Sequence, residues 1–158
     1  MNVSSITPIV FAYKTKQGLA ENKTLQTAQV DIELKGLYFL TSSPSLIKKT
    51  ILYLFYPYCN FCQAHAKQFR RFHTRLKDFV VLWASYDVKD SINKFSKIYR
   101  LDTLPNMHFA YMDIEAIMER YGNVKFPTFL AYDEQGHLLK KFVGLTKPEK
   151  ILKVYQME

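Results

Sequence analysis

The sequence predicts an α/β fold, a central mixed sheet flanked by helices, and three observations predict it. Two unbroken apolar stretches, Ile51-Leu52-Tyr53-Leu54-Phe55 and Phe79-Val80-Val81-Leu82-Trp83-Ala84, have the length and composition of strands buried on both faces. Between them Cys62, Ala66, Phe69, Phe72 and Leu76 recur at three- and four-residue steps, the spacing of a helix with one apolar face. A helix joining two buried strands implies a parallel, right-handed crossover. The chain has 158 residues, 48% hydrophobic and 15% aromatic, enough for one domain with a proper core.

Residues 1–28 are polar and irregular, with Lys14, Lys16, Gly18, Asn22 and Lys23 interrupting any pattern, so the folded domain is expected over 29–158. Val30, Ile32 and Leu34 alternate with Asp31, Glu33 and Lys35 as a half-buried strand does. Gly36 turns it into a short partner strand over Leu37 to Leu40, giving an N-terminal β-hairpin. A loop with Pro44 and a helical turn around Leu46-Ile47-Lys48 lead to the first buried strand, which Pro57 ends because it has no N–H to donate. After the second buried strand, Asp90 or Ser91 can cap a helix carrying Ile92, Phe95, Ile98 and Leu101. Leu104 to Tyr111 is a connection or short strand. Asp113 opens a helix with Ile114, Ile117, Met118 and Tyr121, closed by Gly122. The stretch Val124 to Tyr132 reads as a strand with Pro127 at its start, where the missing donor is tolerated. Asp133-Glu134-Gln135-Gly136 turns into a returning strand, His137 to Val143, which Gly144 breaks. Thr146-x-x-Glu149 has the form of a capping box, with Pro148 in the first turn of a last helix through Ile151, Leu152 and Tyr155.

The totals exclude several functions. The formal charge is +8, but pairs such as Lys48-Lys49, Arg70-Arg71 and Lys140-Lys141 are scattered, and neither a clustered patch nor a motif points to nucleic acid. No apolar run approaches a membrane span, and Ile6 to Tyr13 is too short and lacks the basic start of an intact signal peptide. Phosphate-binding glycine loops and metalloprotease helices are absent.

The chemistry concentrates in Tyr58-Cys59-Asn60-Phe61-Cys62, which holds both cysteines of the chain at C-x-x-C spacing between a strand end and a helix start. Amide N–H groups at a helix N-terminus lack intrahelical partners, and the macrodipole is positive there. A Cys59 thiolate is therefore favoured, and Cys62, one turn on, can reach back to it. Thiol–disulfide exchange follows, with Cys59 as nucleophile and Cys62 resolving the mixed disulfide. Two buried structural cysteines, a structural disulfide and zinc are the competing uses. The first suits mid-core positions better, the second closes too small a loop to stabilise much, and the third wants four ligands without a second C-x-x-C.

At this junction the segment resembles the thioredoxin superfamily. From about residue 29 onward the element order is similar to the TlpA-like branch, which has an N-terminal hairpin and an extra helix between the second core strand and a cis-proline strand. Phe126-Pro127-Thr128 looks like that cis-proline element. The resemblance implies a thiol–disulfide oxidoreductase acting on protein thiols and disulfides, exported or periplasmic, supplied with electrons by a partner redox protein and needing neither organic cofactor nor metal. It implies Tyr58, Phe61, Phe126 and Pro127 as the substrate-docking surface, with Tyr56 on the same apolar rim. The chain departs from the pattern at four places. Tyr58 replaces the usual tryptophan. Phe61 stands where many reductases have proline and strong oxidants histidine, so no cation flanks Cys59 and the reducing direction is favoured. Tyr53 occupies the position, six residues before Cys59, of a buried acid that often accepts a proton. His65 stands where several relatives carry glutamate; it can shuttle the proton that Cys62 loses, or simply face solvent on the helix.

Two further functions fit parts of the sequence. Copper-handling relatives bind Cu(I) through two thiolates and a distant histidine, here His108 or His137, although usually with C-x-x-x-C spacing. A redox-inert protein-binding module would use only the groove beside Pro127. A monomer is expected, with His73, His108 and His137 as surface or packing residues.

Overall fold

The computed structural model describes residues 9–12, 25–28, 48–134 and 137–157. Its core is a five-stranded mixed sheet in the order β5-β4-β3-β6-β7. The central strand β3 (Thr50–Leu54) pairs in parallel with β4 (Val80–Ser85), and β4 pairs in parallel with β5 (Met107–Tyr111). On the other side, β6 (Thr128–Tyr132) runs antiparallel to β3 and β7 (Leu138–Val143) antiparallel to β6. Leu104 to Tyr111 thus contributes an edge strand.

Every residue of β3 and β4 is buried, as continuous apolar strands covered on both faces must be. Successive side chains alternate between two clusters. Ile51, Tyr53, Val81, Trp83, Phe109 and Phe129 point to one face, where α1 (Asn60–Arg71), α2 (Lys89–Ile98) and α4 (Pro148–Lys153) supply Cys62, Ala66, Phe69, Ile92, Phe95, Ile151 and Leu152. Leu52, Leu54, Leu82, Ala110 and Leu130 point to the other, covered by Ile117 and Tyr121 of α3 (Ile114–Tyr121). Short 3₁₀ turns follow α1 at His73–Leu76 and α4 at Val154–Gln156.

Several local expectations are corrected. Within residues 1–28, read as irregular, β1 (Ile9–Ala12) and β2 (Leu25–Ala28) form an antiparallel pair. The hairpin expected over 30–40 lies outside the described residues. Neither Asp90 nor Ser91 caps α2: the helix begins at Lys89 behind Val88, and Asp90 sits in the first turn, paired with Lys94 at 2.9 Å. Asp113 does precede α3, but its Oδ1 accepts the Tyr111 hydroxyl at 2.6 Å instead of a helix amide. Gly122 ends that helix at φ +79°, where a side chain would be strained.

Candidate active site

The strand β3 and the helix α1 meet at the cysteine pair. The turn between them is tied by the Cys59 amide donating to the Tyr56 carbonyl at 3.0 Å, which makes Cys59 the residue that caps α1. Its sulfur accepts the Cys62 amide at 3.4 Å and so satisfies one of the helix's unpaired N–H groups. Cys59 is half-buried and Cys62 fully buried; the two are free thiols lying 3.1 Å apart. Burial pushes the Cys62 thiol up to about 12, against the lowering effect of a Tyr56 backbone hydrogen bond and of the Tyr53 hydroxyl.

Beside this turn lies the loop before β6. The pairing of Leu54 with Thr128 puts Pro127 next to the end of β3 from which the cysteine turn departs. The Phe126–Pro127 peptide is cis, and the Pro127 carbonyl accepts the Gly144 amide at 2.8 Å. A row of rings joins the two loops: Phe126 to Tyr86 at 5.3 Å, Tyr86 to Tyr56 at 5.5 Å and Tyr56 to Tyr58 at 5.4 Å. Tyr58 is 64% exposed and Phe61 53%, flanking Cys59 in sequence on either side. Tyr86 carries no distinguishing signal in the sequence, since only the parallel pairing of β4 brings it beside Tyr56.

Behind the pair, His65 is fully buried, so the solvent-facing alternative is corrected. Its Nε2 accepts the Thr146 backbone N–H at 2.9 Å, and its Nδ1 lies 2.8 Å from the Tyr53 hydroxyl. A backbone N–H can only donate, so in the neutral ring the proton is on Nδ1 and is given to the Tyr53 oxygen. With both nitrogens engaged, and with burial lowering its pKa to about 4, His65 has no vacant lone pair with which to take a proton directly from Cys62. Thr146, expected to cap α4, instead spends its amide on His65; α4 starts at Pro148 without a side-chain cap. Burial holds the Tyr53 hydroxyl well above the usual phenol range, and the nearby Cys62 raises it further.

No family model matches the chain, and no curated protein does. Solved structures do. StoA from Bacillus subtilis superposes with a TM-score of 0.58 at 19% identity, over 95% of this chain and 98% of that one. A secreted Mycobacterium tuberculosis disulfide oxidoreductase homologous to E. coli DsbE gives 0.56 at 18%, over 69% and 81%. The exposed lipoprotein thioredoxin Etrx1 of Streptococcus pneumoniae gives 0.55 at 22%, over 71% and 86%. The chain has the thioredoxin-like fold.

In this thioredoxin-like frame the histidines invoked for copper stand away from the cysteines. His108 is paired with Leu82, which belongs to the cluster on the opposite face of the sheet from Cys62. His137 is held by Asp133 at 3.1 Å at the far end of β7 from the Gly144 and Thr146 that reach the site. Among the described residues, no three His, Cys, Asp or Glu side chains come together as a metal site. No helix among them is long and apolar enough to cross a membrane.

Proposed function

We propose that this chain is a thiol–disulfide oxidoreductase of the TlpA-like kind, acting on protein disulfides. One observation carries the reading: a half-exposed Cys59 caps a helix while its partner Cys62 sits buried 3.1 Å behind it. Cys59 attacks the substrate sulfur, and Cys62 then displaces the reduced substrate from the mixed disulfide. Tyr58, Phe61, Phe126 and Pro127 form the docking surface, and the ring row through Tyr56 and Tyr86 extends it for an apolar polypeptide segment. His65 belongs to the site as a positioning residue.

Reduction is the favoured direction. A strong oxidant is one whose reduced form is stabilised. Here Asn60 and Phe61 bring no cation to Cys59, and burial raises Cys62 well above a free thiol, so the dithiol form has little special support. Electrons come from a partner redox protein.

Catalysed reduction of insulin disulfides by a small dithiol tests the reading. The wild-type chain accelerates it, Cys59→Ser abolishes the acceleration, and Cys62→Ser accumulates a Cys59 mixed disulfide. Absence of acceleration together with tight stoichiometric Cu(I) binding would assign the pair to copper handling. Unimpaired partner binding by the doubly substituted Cys59→Ser, Cys62→Ser chain, without exchange by wild type, would leave a binding module.

A further inference from the structure

We propose that the pole of the molecule opposite the cysteine turn is a docking surface for an anionic lipid bilayer. The inference concerns a face that thiol exchange does not use, and it stands apart from the exchange reading.

The topology gathers at that pole charges that lie far apart in the sequence. The parallel strands β3, β4 and β5 run toward the cysteine end, and α1 and α2 run back from it. α4 does the same, since the Tyr155 hydroxyl behind it donates to the Thr50 carbonyl at 3.0 Å, at the start of β3. Side chains tie these ends together. Arg70 Nη1, in the last turn of α1, donates to the Arg100 carbonyl behind α2 at 3.1 Å and to the Thr103 hydroxyl at 3.2 Å. The Tyr155 ring meets Phe79 at 4.9 Å, and Lys49 Nζ lies 5.7 Å over the Tyr155 ring.

Around this frame Arg71, Arg75 and Lys77 are exposed at and beyond the end of α1, and Lys97 and Arg100 at the end of α2. Lys48 before β3 and Lys153 in the last turn of α4 are exposed at the same pole. Two of the basic pairs scattered along the sequence, Lys48-Lys49 and Arg70-Arg71, thus come to one end, while Lys140-Lys141 stays on β7. Among the described residues, the carboxylates beside these cations are Asp78 and Asp102, and neither is held in an ion pair with them. A cation in the last turn of a helix offsets the macrodipole. That accounts for Arg71, Lys97 and Lys153, but not for Lys48 or Lys77.

Apolar side chains stand among the charges and select the partner. Ile98 is 71% exposed at the end of α2, and Met157 is 86% exposed just past Tyr155. Each lysine or arginine close to an anionic bilayer strengthens binding about fivefold. Free aliphatic side chains add to this by entering the boundary between headgroups and acyl chains. Single-stranded nucleic acid is gripped by aromatic platforms, yet the exposed rings Tyr58, Phe61 and Tyr86 all lie at the cysteine pole. An acidic protein wants an apolar centre with aromatic or arginine anchors, and two single aliphatic side chains on different elements do not make one. Seated on this pole, the chain holds Cys59 away from the lipid: α1 has 12 residues, about 18 Å of helix.

Sedimentation of the full-length chain with phosphatidylcholine vesicles, alone or with about one-third phosphatidylglycerol, tests the proposal. The chain should follow the anionic vesicles, stay in solution with the neutral ones, and dissociate as salt is raised. Arg71→Gln with Lys77→Gln should weaken the association about twenty-fivefold. Ile98→Ser with Met157→Ser should weaken it about tenfold. Lys140→Gln with Lys141→Gln removes the same charge from β7 and should leave it within about twofold. Equal loss from the β7 pair, which attraction by net charge alone predicts, overturns the proposal. So does a wild-type chain that ignores the anionic vesicles; its retention on polyglutamate or a duplex oligonucleotide would then give the pole to an acidic protein or to nucleic acid. Iodoacetamide alkylation of Cys59 reads the orientation without requiring disulfide exchange, so this proposal and the exchange reading can fail separately. Vesicle-bound chain should be alkylated at the rate of free chain. A strongly depressed rate, or binding lost in Tyr58→Ala with Phe61→Ala, would put the cysteine pole against the lipid and overturn the proposal.

Discussion

A neutral histidine locked between two hydrogen bonds in the core makes the molecule sensitive to acid. Burial lowers both His65 and His108 to about 4, against about 6.5 for an unfolded histidine. Between those values the unfolded chain binds more protons than the folded one, so stability is complete above about pH 6.5 and declines as pH falls toward 4. Each histidine contributes on the order of 3 kcal/mol to that decline. Urea titrations at pH 7 and pH 4.5 should show the loss, and replacing His108 by an apolar residue of similar size should remove part of it; a midpoint indifferent to pH across this window would contradict the burial of neutral rings. The sequence leaves His65 open between a proton shuttle and a solvent-facing residue, and only the structure shows that its spacing, three residues after Cys62 and four before Phe69, turns it into the core. Its partners were not legible, because Thr146 is 81 residues away and offers only a backbone N–H, which no side-chain pattern announces.

At the scale of elements, the strands and α1 could be read because burial on both faces leaves nothing but apolar side chains to choose from. Helix ends could not. Asp90, Asp113 and Thr146 are all good capping residues, yet no side chain of the three bonds a helix amide: each is taken by another group, respectively Lys94 one turn on, the Tyr111 hydroxyl and the Gly144 carbonyl. The seating of α1 rests on Phe69, which is fully buried and stacked on Phe129 at 5.7 Å. Phe69→Ala should cost about 3–5 kcal/mol, and by loosening α1 beneath Cys62 it should slow exchange as well; chemical denaturation together with the insulin assay checks both effects. The loop that carries Thr146 turns at Gly144, φ +81°, with open space where a Cβ would go. Gly144→Ala therefore meets only backbone strain, about 1 kcal/mol, measurable by denaturation.

Across the whole molecule, the site is assembled from three stretches far apart in the chain: the turn from β3 into α1, the loop before β6 and the loop after β7. One sheet holds them, because β3 lies between β4 and β6 and carries the cysteine turn at its end. The proposed substrate-docking surface includes the exposed rings around that turn, Tyr58 and Phe61. Tyr58→Ala with Phe61→Ala should raise KM for a protein disulfide about tenfold and leave a small aromatic disulfide unaffected, the usual scale for exposed aromatic anchors; equal effects on both substrates would argue against a docking role. The central claim, that Cys59 and Cys62 form one reversible redox couple, is tested most directly by equilibrating the chain in graded glutathione buffers and counting alkylatable thiols. The account predicts that both thiols disappear together in a single two-electron transition, with a potential nearer about −270 mV than about −120 mV. Two thiols that persist across the whole series, or that end as separate glutathione adducts without a bond between them, would contradict it.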